Sequence, residues 1–321
     1  MFRAIRRNPG VNKLISYTIK NCHRSLNNTL SFLERKTRTS GRIECTFNGL
    51  PFKMVNNCDD NLVDYFFYGK KYQEERDLKL FMTLAKSAEC ILDIGANTGL
   101  FSILSSKANP QSEIYSFEPY FINASRLKAN IEVNEIRNIN VIQNAVGNKN
   151  GEIVISIPKN DSITDVSSAN LQFSKKIYPE LEWKGAKVPL TSIDEFRKSL
   201  NKKINLVKCD VETYEMEVFK GMTDVLKNDR PAVLFECFLD QQRTDFFNEI
   251  LKNFNYSLYL VLEQGLVYCR EGFSDRSYGL NYLISPNIAD QTFISYTETD
   301  LALRILSKCS LNLETFKRPK R

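Results

Sequence analysis

The sequence predicts an α/β fold built on a doubly wound, mainly parallel sheet of seven strands, preceded by a small β-hairpin and helix extension. Three observations predict it. From about residue 89 onward, apolar strand-like runs alternate with amphipathic helical stretches, the pattern of a parallel sheet covered on both faces. The stretch from Cys90 to Ser102 carries an acid, Asp93, and two spaced glycines, Gly95 and Gly99, between a strand and a helix. Glu118 then closes the second strand, about twenty-odd residues past that turn, where an acid can accept hydrogen bonds from ribose hydroxyls.

The elements follow in order. Residues 43–57 alternate around Asn48-Gly49, a two-residue turn signal, and read as a hairpin. Residues 71–87 place Leu78, Phe81, Met82 and Ala85 on one helical face. Strands are expected near 89–94, 113–118, 139–145, 152–157, 186–190, 204–209, 231–237, 256–263 and 278–284. Helices are expected near 100–107, 121–134, 192–199, 214–227 and 241–253. One catalytic domain is expected over 43–286, its core at about 88–240, between a basic leader (1–42) and a C-terminal extension (287–321).

Charge separates these parts. The 321 residues carry a net +6, yet residues 1–42 alone hold ten Lys/Arg against Glu34. The remainder therefore sums to −3, although the tail Lys317-Arg318-Pro319-Lys320-Arg321 adds +4. A mildly acidic body with basic ends argues against a nucleic-acid channel across the domain. The leader suits a transit peptide, an arm touching anionic membrane, or a solvated helix through Val11, Leu14, Ile15 and Thr18. No apolar run approaches eighteen residues, so no spanning helix is expected. Eight scattered cysteines without a CxxC pair read as reduced thiols, Cys90, Cys209 and Cys237 as small hydrophobes in strands. The expected compartment is the cytoplasm, with membrane-peripheral contact and organellar targeting left open.

The glycine turn, Asp93-Ile94-Gly95-Ala96-Asn97-Thr98-Gly99, lets backbone approach a ligand where a β-carbon would collide. It lacks the third glycine of a dinucleotide site and the Lys-Ser/Thr pair of a triphosphate site. Such a turn suits S-adenosylmethionine, which has a ribose and an adenine but no phosphates. Asn144 and Ala145, ending the third strand, would flank an adenine edge; Asn144 reads equally as a turn former before Gly147. The cofactor set is thus Asp93, Gly95, Ala96, Asn97, Gly99, Glu118, Asn144 and Ala145. At the fourth main strand Asp210 faces the crevice, Glu212 follows in the turn, and Glu215 enters a helix at its amino end. Glu236 ends the fifth strand at the same edge.

These blocks resemble the FkbM-type family of S-adenosylmethionine-dependent methyltransferases over roughly residues 72–285. The resemblance rests on Leu92–Gly99, Phe117-Glu118-Pro119, Asn144-Ala145-Val146-Gly147, Leu190–Asp194, and Val207–Glu212 with Glu215 and Lys220-Gly221. It implies a seven-strand, Rossmann-like class I methyltransferase fold, and methyl transfer to a hydroxyl of a sugar, glycan or secondary metabolite. By this resemblance Gly95, Asn97, Glu118 and Asn144 line the cofactor. There is one departure. Where the family commonly has glycine after the Asp-Val-Glu acid, this chain has Thr213, followed by Tyr214.

An alcohol acceptor must lose its proton as the methyl bond forms. The single histidine, His23, lies in the leader. The base is therefore expected to be Asp210, or Glu212 after it, or Asp210 with Glu236 holding a divalent cation such as Mg. The expected partner is a hydroxyl-bearing small molecule or glycan. Two alternatives stand beside it: an RNA-modifying methyltransferase, suggested by the basic ends, and a non-catalytic S-adenosylmethionine-binding assembly factor, suggested by Thr213.

Overall fold

The computed structural model describes residues 15–18, 39–68, 75–159, 171–262, 265–269, 272–273 and 281–286. Most of the basic leader, Ser162, Ser167, Ser168 and the C-terminal extension lie outside these residues. The expected leader helix is seen only at residues 15–18, and the first turn of the helix expected from 71 also lies outside.

The hairpin forms from β1 (Ser40–Phe47) and β2 (Leu50–Asn57). Asn48 and Gly49 between them both have positive φ, as a two-residue hairpin turn requires. A short helix that periodicity did not reveal, α1 (Asn61–Tyr68), follows; Asp60 Oδ1 accepts from the N–H groups of Leu62 and Val63 and so caps it. Helix α2 (Glu75–Ala85) leads into the wound sheet.

That sheet has eight strands: β3 (Cys90–Ile94), β4 (Glu113–Phe117), β5 (Ile139–Ile142), β9 (Leu206–Cys209), β10 (Ala232–Glu236), β11 (Ser257–Leu262), β12 (Gly265–Cys269) and β13 (Asn281–Ser285). Their spatial order is β12-β11-β13-β10-β9-β3-β4-β5. The strands from β5 to β10 pair in parallel, and β13 runs antiparallel between β10 and β11. The seven expected strands are therefore present in a doubly wound order, and β12 adds an eighth by folding back on β11. The order reverses between β3 and β9, which opens a crevice at their carboxyl ends.

Side-chain alternation splits the core into one apolar layer on each face. Ile91, Ile114, Leu206, Leu234 and Leu283 pack under α2, α3 (Leu100–Ala108) and the hairpin. Leu92, Phe117, Val207, Phe235 and Tyr282 pack on the other face against Val218, Phe219 and Phe247. These come from α7 (Glu215–Lys220) and α9 (Gln241–Phe254), with α8 (Thr223–Asn228) between. The single helix expected at 214–227 is thus two, broken at Gly221-Met222. A β-carbon on Gly221 would lie 2.0 Å from the Gly147 carbonyl oxygen, so the chain passes there only as glycine.

The strands expected near 152–157 and 186–190 form outside the main sheet. β7 (Gly151–Pro158) and β8 (Trp183–Thr191) pair with the two-residue β6 (Ala145–Val146) in a small sheet of order β6-β8-β7. The strand expected over 139–145 therefore divides between two sheets, with Asn144 at the break. Between β7 and β8, α5 (Leu171–Ile177) is described, and α6 (Ile193–Arg197) follows β8. On the other side, α4 (Phe121–Val133) packs on β5 and docks the hairpin. Among the described residues no helix is long and apolar enough to cross a membrane.

Candidate functional site

A cleft of about 240 Å³ opens at the carboxyl ends of β3, β4, β9 and β10. Leu62 of α1, Phe101 of α3 and Ile153 and Ile155 of β7 form part of its walls. Gly95, Ala96, Asn97, Gly99, Glu118, Asn144, Ala145, Asp210, Glu212 and Glu236 all line it, so residues far apart in sequence converge as expected.

The glycine turn is held by backbone geometry. Gly95 and Gly99 adopt φ of 78° and 93°, and Asn97 sits at 50°, a left-handed conformation that asparagine tolerates. Gly95 and Ala96 both donate to the Phe117 carbonyl, at 3.0 and 2.9 Å. A β-carbon on Gly95 would lie 1.8 Å from the Asp210 carbonyl oxygen, and Asp210 N–H donates to Ile94 O at 3.0 Å. The β3 and β9 turns thus touch backbone to backbone, which fixes the glycine turn relative to the acids after β9.

Glu118 is 3% exposed, and each oxygen accepts one backbone N–H: Asn97 on Oε2 and Tyr120 on Oε1, both at 2.9 Å. Burial pushes its carboxyl up to about 7, against the opposing pull of those two donors. Each oxygen keeps accepting capacity beyond its one bond, which suits paired hydroxyls.

Asp93, expected among the cofactor residues, is not on the cleft wall. It shares a sheet face with Ile91, so it points beneath α3, where Ser102 Oγ donates to its Oδ2 at 2.5 Å and Ser102 meets Ser116 at 2.7 Å. In register, Ser116, Asp93 and Lys208 lie side by side across β4, β3 and β9. Burial raises the Asp93 carboxyl and the Lys208 charge opposes this. Lys208 was overlooked by sequence reasoning, although a lysine inside an apolar strand is itself a signal. Its ammonium binds Asp210 Oδ2 at 3.0 Å and lies 4.6 Å from the Phe101 ring centre.

The turn after β9 bears the departure at Thr213. Glu212 and Thr213 have φ of 52° and 80°, and a β-branched residue there is strained. The conformation is one that glycine adopts freely, in keeping with the glycine that the resemblance implies at this place. Glu215 supports the turn, its Oε1 accepting from Thr213 N–H at 3.1 Å. Glu215 is 2% exposed, and burial lifts its carboxyl to about 7. Tyr214, which follows the departure at Thr213, lines the cleft; burial, with the Glu217 charge, raises its phenol. Asn123 is a further cleft residue that spacing did not mark, buried to 2%.

Other blocks serve the frame. Asp194 accepts from Asp224 and Val225 N–H at 3.1 and 2.9 Å and so caps α8, while Ser192 caps α6. Trp183 begins β8 and does not line the cleft. Asp210 and Glu236 do line it, but no group of three or more His, Cys, Asp or Glu among the described residues is arranged to hold a metal. The Lys208 ammonium already engages Asp210 where a cation would be bound, so the residues present do not fit the expected divalent ion. Cys90, Cys209 and Cys237 are buried, and burial pushes each thiol upward, which makes them inert core residues.

Residues 93–260 match the model of the methyltransferase FkbM domain, more than half of the chain. A protein named Methyltransferase 1 from Beauveria bassiana (strain ARSEF 2860) is 26% identical over 147 residues, covering 42% of this chain and 58% of that one. Among solved structures, methyltransferase FkbM from Methylobacillus flagellatus KT is similar at a TM-score of 0.42 and 14% identity, over 69% of this chain and 52% of that one. A SAM-dependent methyltransferase from Agrobacterium tumefaciens gives 0.39 and 9%, over 68% and 60%. The chain thus spans less than two thirds of the length of each of these proteins. With the glycine turn, the strand-end glutamate and the family match all falling in one segment, the chain belongs to the FkbM methyltransferase family.

Proposed function

We propose that the protein is an S-adenosylmethionine-dependent methyltransferase acting on a hydroxyl of a sugar, glycan or secondary metabolite. Glu118 carries this reading: a buried strand-end carboxylate, tied by both oxygens to backbone and facing a cleft beside the Gly95–Gly99 turn. A desolvated carboxylate with accepting capacity left on each oxygen fits the vicinal hydroxyls of a ribose, and the turn lacks the residues of a phosphate cradle.

In this reading Gly95, Ala96, Asn97, Gly99, Glu118, Asn144 and Ala145 would hold the cofactor, with Asp93 bracing the turn from below. When bound, S-adenosylmethionine supplies a methyl group activated by its sulfonium. The chain's own work is alignment and proton removal. Asp210 takes the proton of the acceptor hydroxyl, and Glu212 is the second candidate. Lys208 holds Asp210 Oδ2 and fixes where its other oxygen points. Residues 43–286 form the catalytic domain, and the basic ends serve as peripheral arms that favour anionic surfaces.

The test is incubation with methyl-labelled cofactor and fractionated cell extract. Label should enter the glycan or small-metabolite fraction, and Asp210→Asn should lower its uptake about 100-fold or more while S-adenosylhomocysteine still binds. Uptake only in RNA overturns the acceptor assignment, and no uptake in any fraction favours a non-catalytic binding role. Turnover that survives Asp210→Asn removes Asp210 as the base.

A further inference from the structure

Among the described residues, the outer edge of β2 has no strand partner, and side chains of α4 and its C-cap Asn134 supply the missing bonds. Asn134 Oδ1 accepts from Lys53 N–H at 2.9 Å, and its Nδ2 donates to Lys53 O at 2.6 Å. Arg126 donates to Val55 O at 3.1 Å and binds both Asp59 oxygens at 3.0 Å. Asn130 completes this imitation of a strand edge, its Oδ1 accepting from Val55 N–H at 2.7 Å.

Asn130 differs from its neighbours in its other bond. It is fully buried, and its Nδ2 donates at 2.8 Å to Thr98 O, inside the glycine turn. Thr98 precedes the first helical carbonyl, since Ile103 N–H already binds Gly99 O. No helical donor therefore reaches the Thr98 carbonyl. One residue earlier in the turn, Glu118 accepts from Asn97 N–H. Consecutive residues of the turn are thus clamped by a carboxylate before α4 and an amide within it, and the same amide holds the hairpin.

We propose that Asn130 is a positioning residue that couples the N-terminal hairpin to nucleoside binding. The inference rests on the reading of the cleft as an S-adenosylmethionine site. Because one amide serves both sides, ordering of the turn by a bound nucleoside stabilises hairpin docking, and docking favours the turn geometry that binds. An aspartate at 130 keeps the oxygen that Val55 needs and replaces the donor to Thr98 with a second acceptor. The same change at 134 removes the donor to Lys53 O and to Asn130 O and leaves the Asn130 amide and Thr98 untouched.

The experiment measures S-adenosylhomocysteine affinity by titration calorimetry and amide exchange of residues 40–57, using the full chain, Asn130→Asp and Asn134→Asp. Asn130→Asp should weaken binding about tenfold (about 1.4 kcal/mol), whereas Asn134→Asp stays within about twofold. Ligand should slow hairpin exchange about fivefold or more in the wild type and in Asn134→Asp, and not in Asn130→Asp. Equal losses of affinity in the two variants, or no loss in either, overturn the coupling and reduce Asn130 to a staple. If Asn130→Asp does not fold, hairpin exchange in the wild type decides, and exchange unchanged by ligand overturns the proposal. A wild-type chain that binds no S-adenosylhomocysteine overturns the cofactor reading itself.

Discussion

Replacing Glu118 by glutamine keeps the shape of the side chain and removes its charge and one accepting oxygen. In the free protein at pH 8 the ionised carboxyl is held against a shift from its ordinary 4.5 to about 7, which costs the fold about 3 kcal/mol. Glutamine removes that cost but leaves either Asn97 or Tyr120 N–H facing an amide NH₂, a penalty of about 1–3 kcal/mol. The two nearly cancel, so the variant should fold with little change in melting temperature. Binding is different. A ribose bonded to a carboxylate gains about 1.5–3 kcal/mol for each charge-assisted bond, and glutamine retains one neutral bond at most. The expected loss is about 2–4 kcal/mol, or roughly 30- to 1,000-fold in affinity. Titration calorimetry with S-adenosylhomocysteine at pH 8 measures it directly. Affinity within about threefold of wild type, in a variant of unchanged melting temperature, refutes the assignment of Glu118 to the ribose.

Three further outcomes follow from the same geometry. Because burial raises the Glu118 and Glu215 carboxyls to about 7, the free protein should be most stable below about pH 4.5 as far as these two groups act, and lose that contribution as pH rises to 7; bound ribose favours ionised Glu118, so cofactor affinity should rise from pH 6 to 8 with proton release, a trend absent in Glu118→Gln. Thr213→Gly should relieve the left-handed strain and stabilise the fold by about 1 kcal/mol in denaturant titration, and an unchanged or lowered midpoint contradicts that reading of φ. Gly95→Ala should abolish S-adenosylhomocysteine binding because its β-carbon meets the Asp210 carbonyl, and an alanine variant that binds as the wild type does contradicts that reading.

The glycine-turn side of the cleft was legible because its residues follow one another along two strands. Gly95, Gly99 and Glu118 sit at places that local spacing alone marks, and the structure gives the glycines the positive φ and close contacts that spacing implied. Residues that reach the cleft from a distance were not legible. Ile153 and Ile155 enter from a small separate sheet, and Leu62 from a helix of eight residues too short to show a period. Asp93 carried the right motif but the wrong side-chain direction, because strand alternation turns it under α3. Thr213 was legible as a departure, and only the backbone angle shows what it costs. Asn130 read as an ordinary position on a covering helix, since its two bonds join segments 32 and 75 residues away.

Comparative ligand binding shows whether the cleft accepts a nucleoside without phosphates. Thermal melting of the full chain with S-adenosylhomocysteine, NAD and ATP, each at the same concentration well above a micromolar dissociation constant, separates the classes. At about 100 times that constant, S-adenosylhomocysteine should add about 2.7 kcal/mol of stability and raise the melting temperature, with no shift from NAD or ATP. A shift with NAD or ATP and none with S-adenosylhomocysteine would contradict the account.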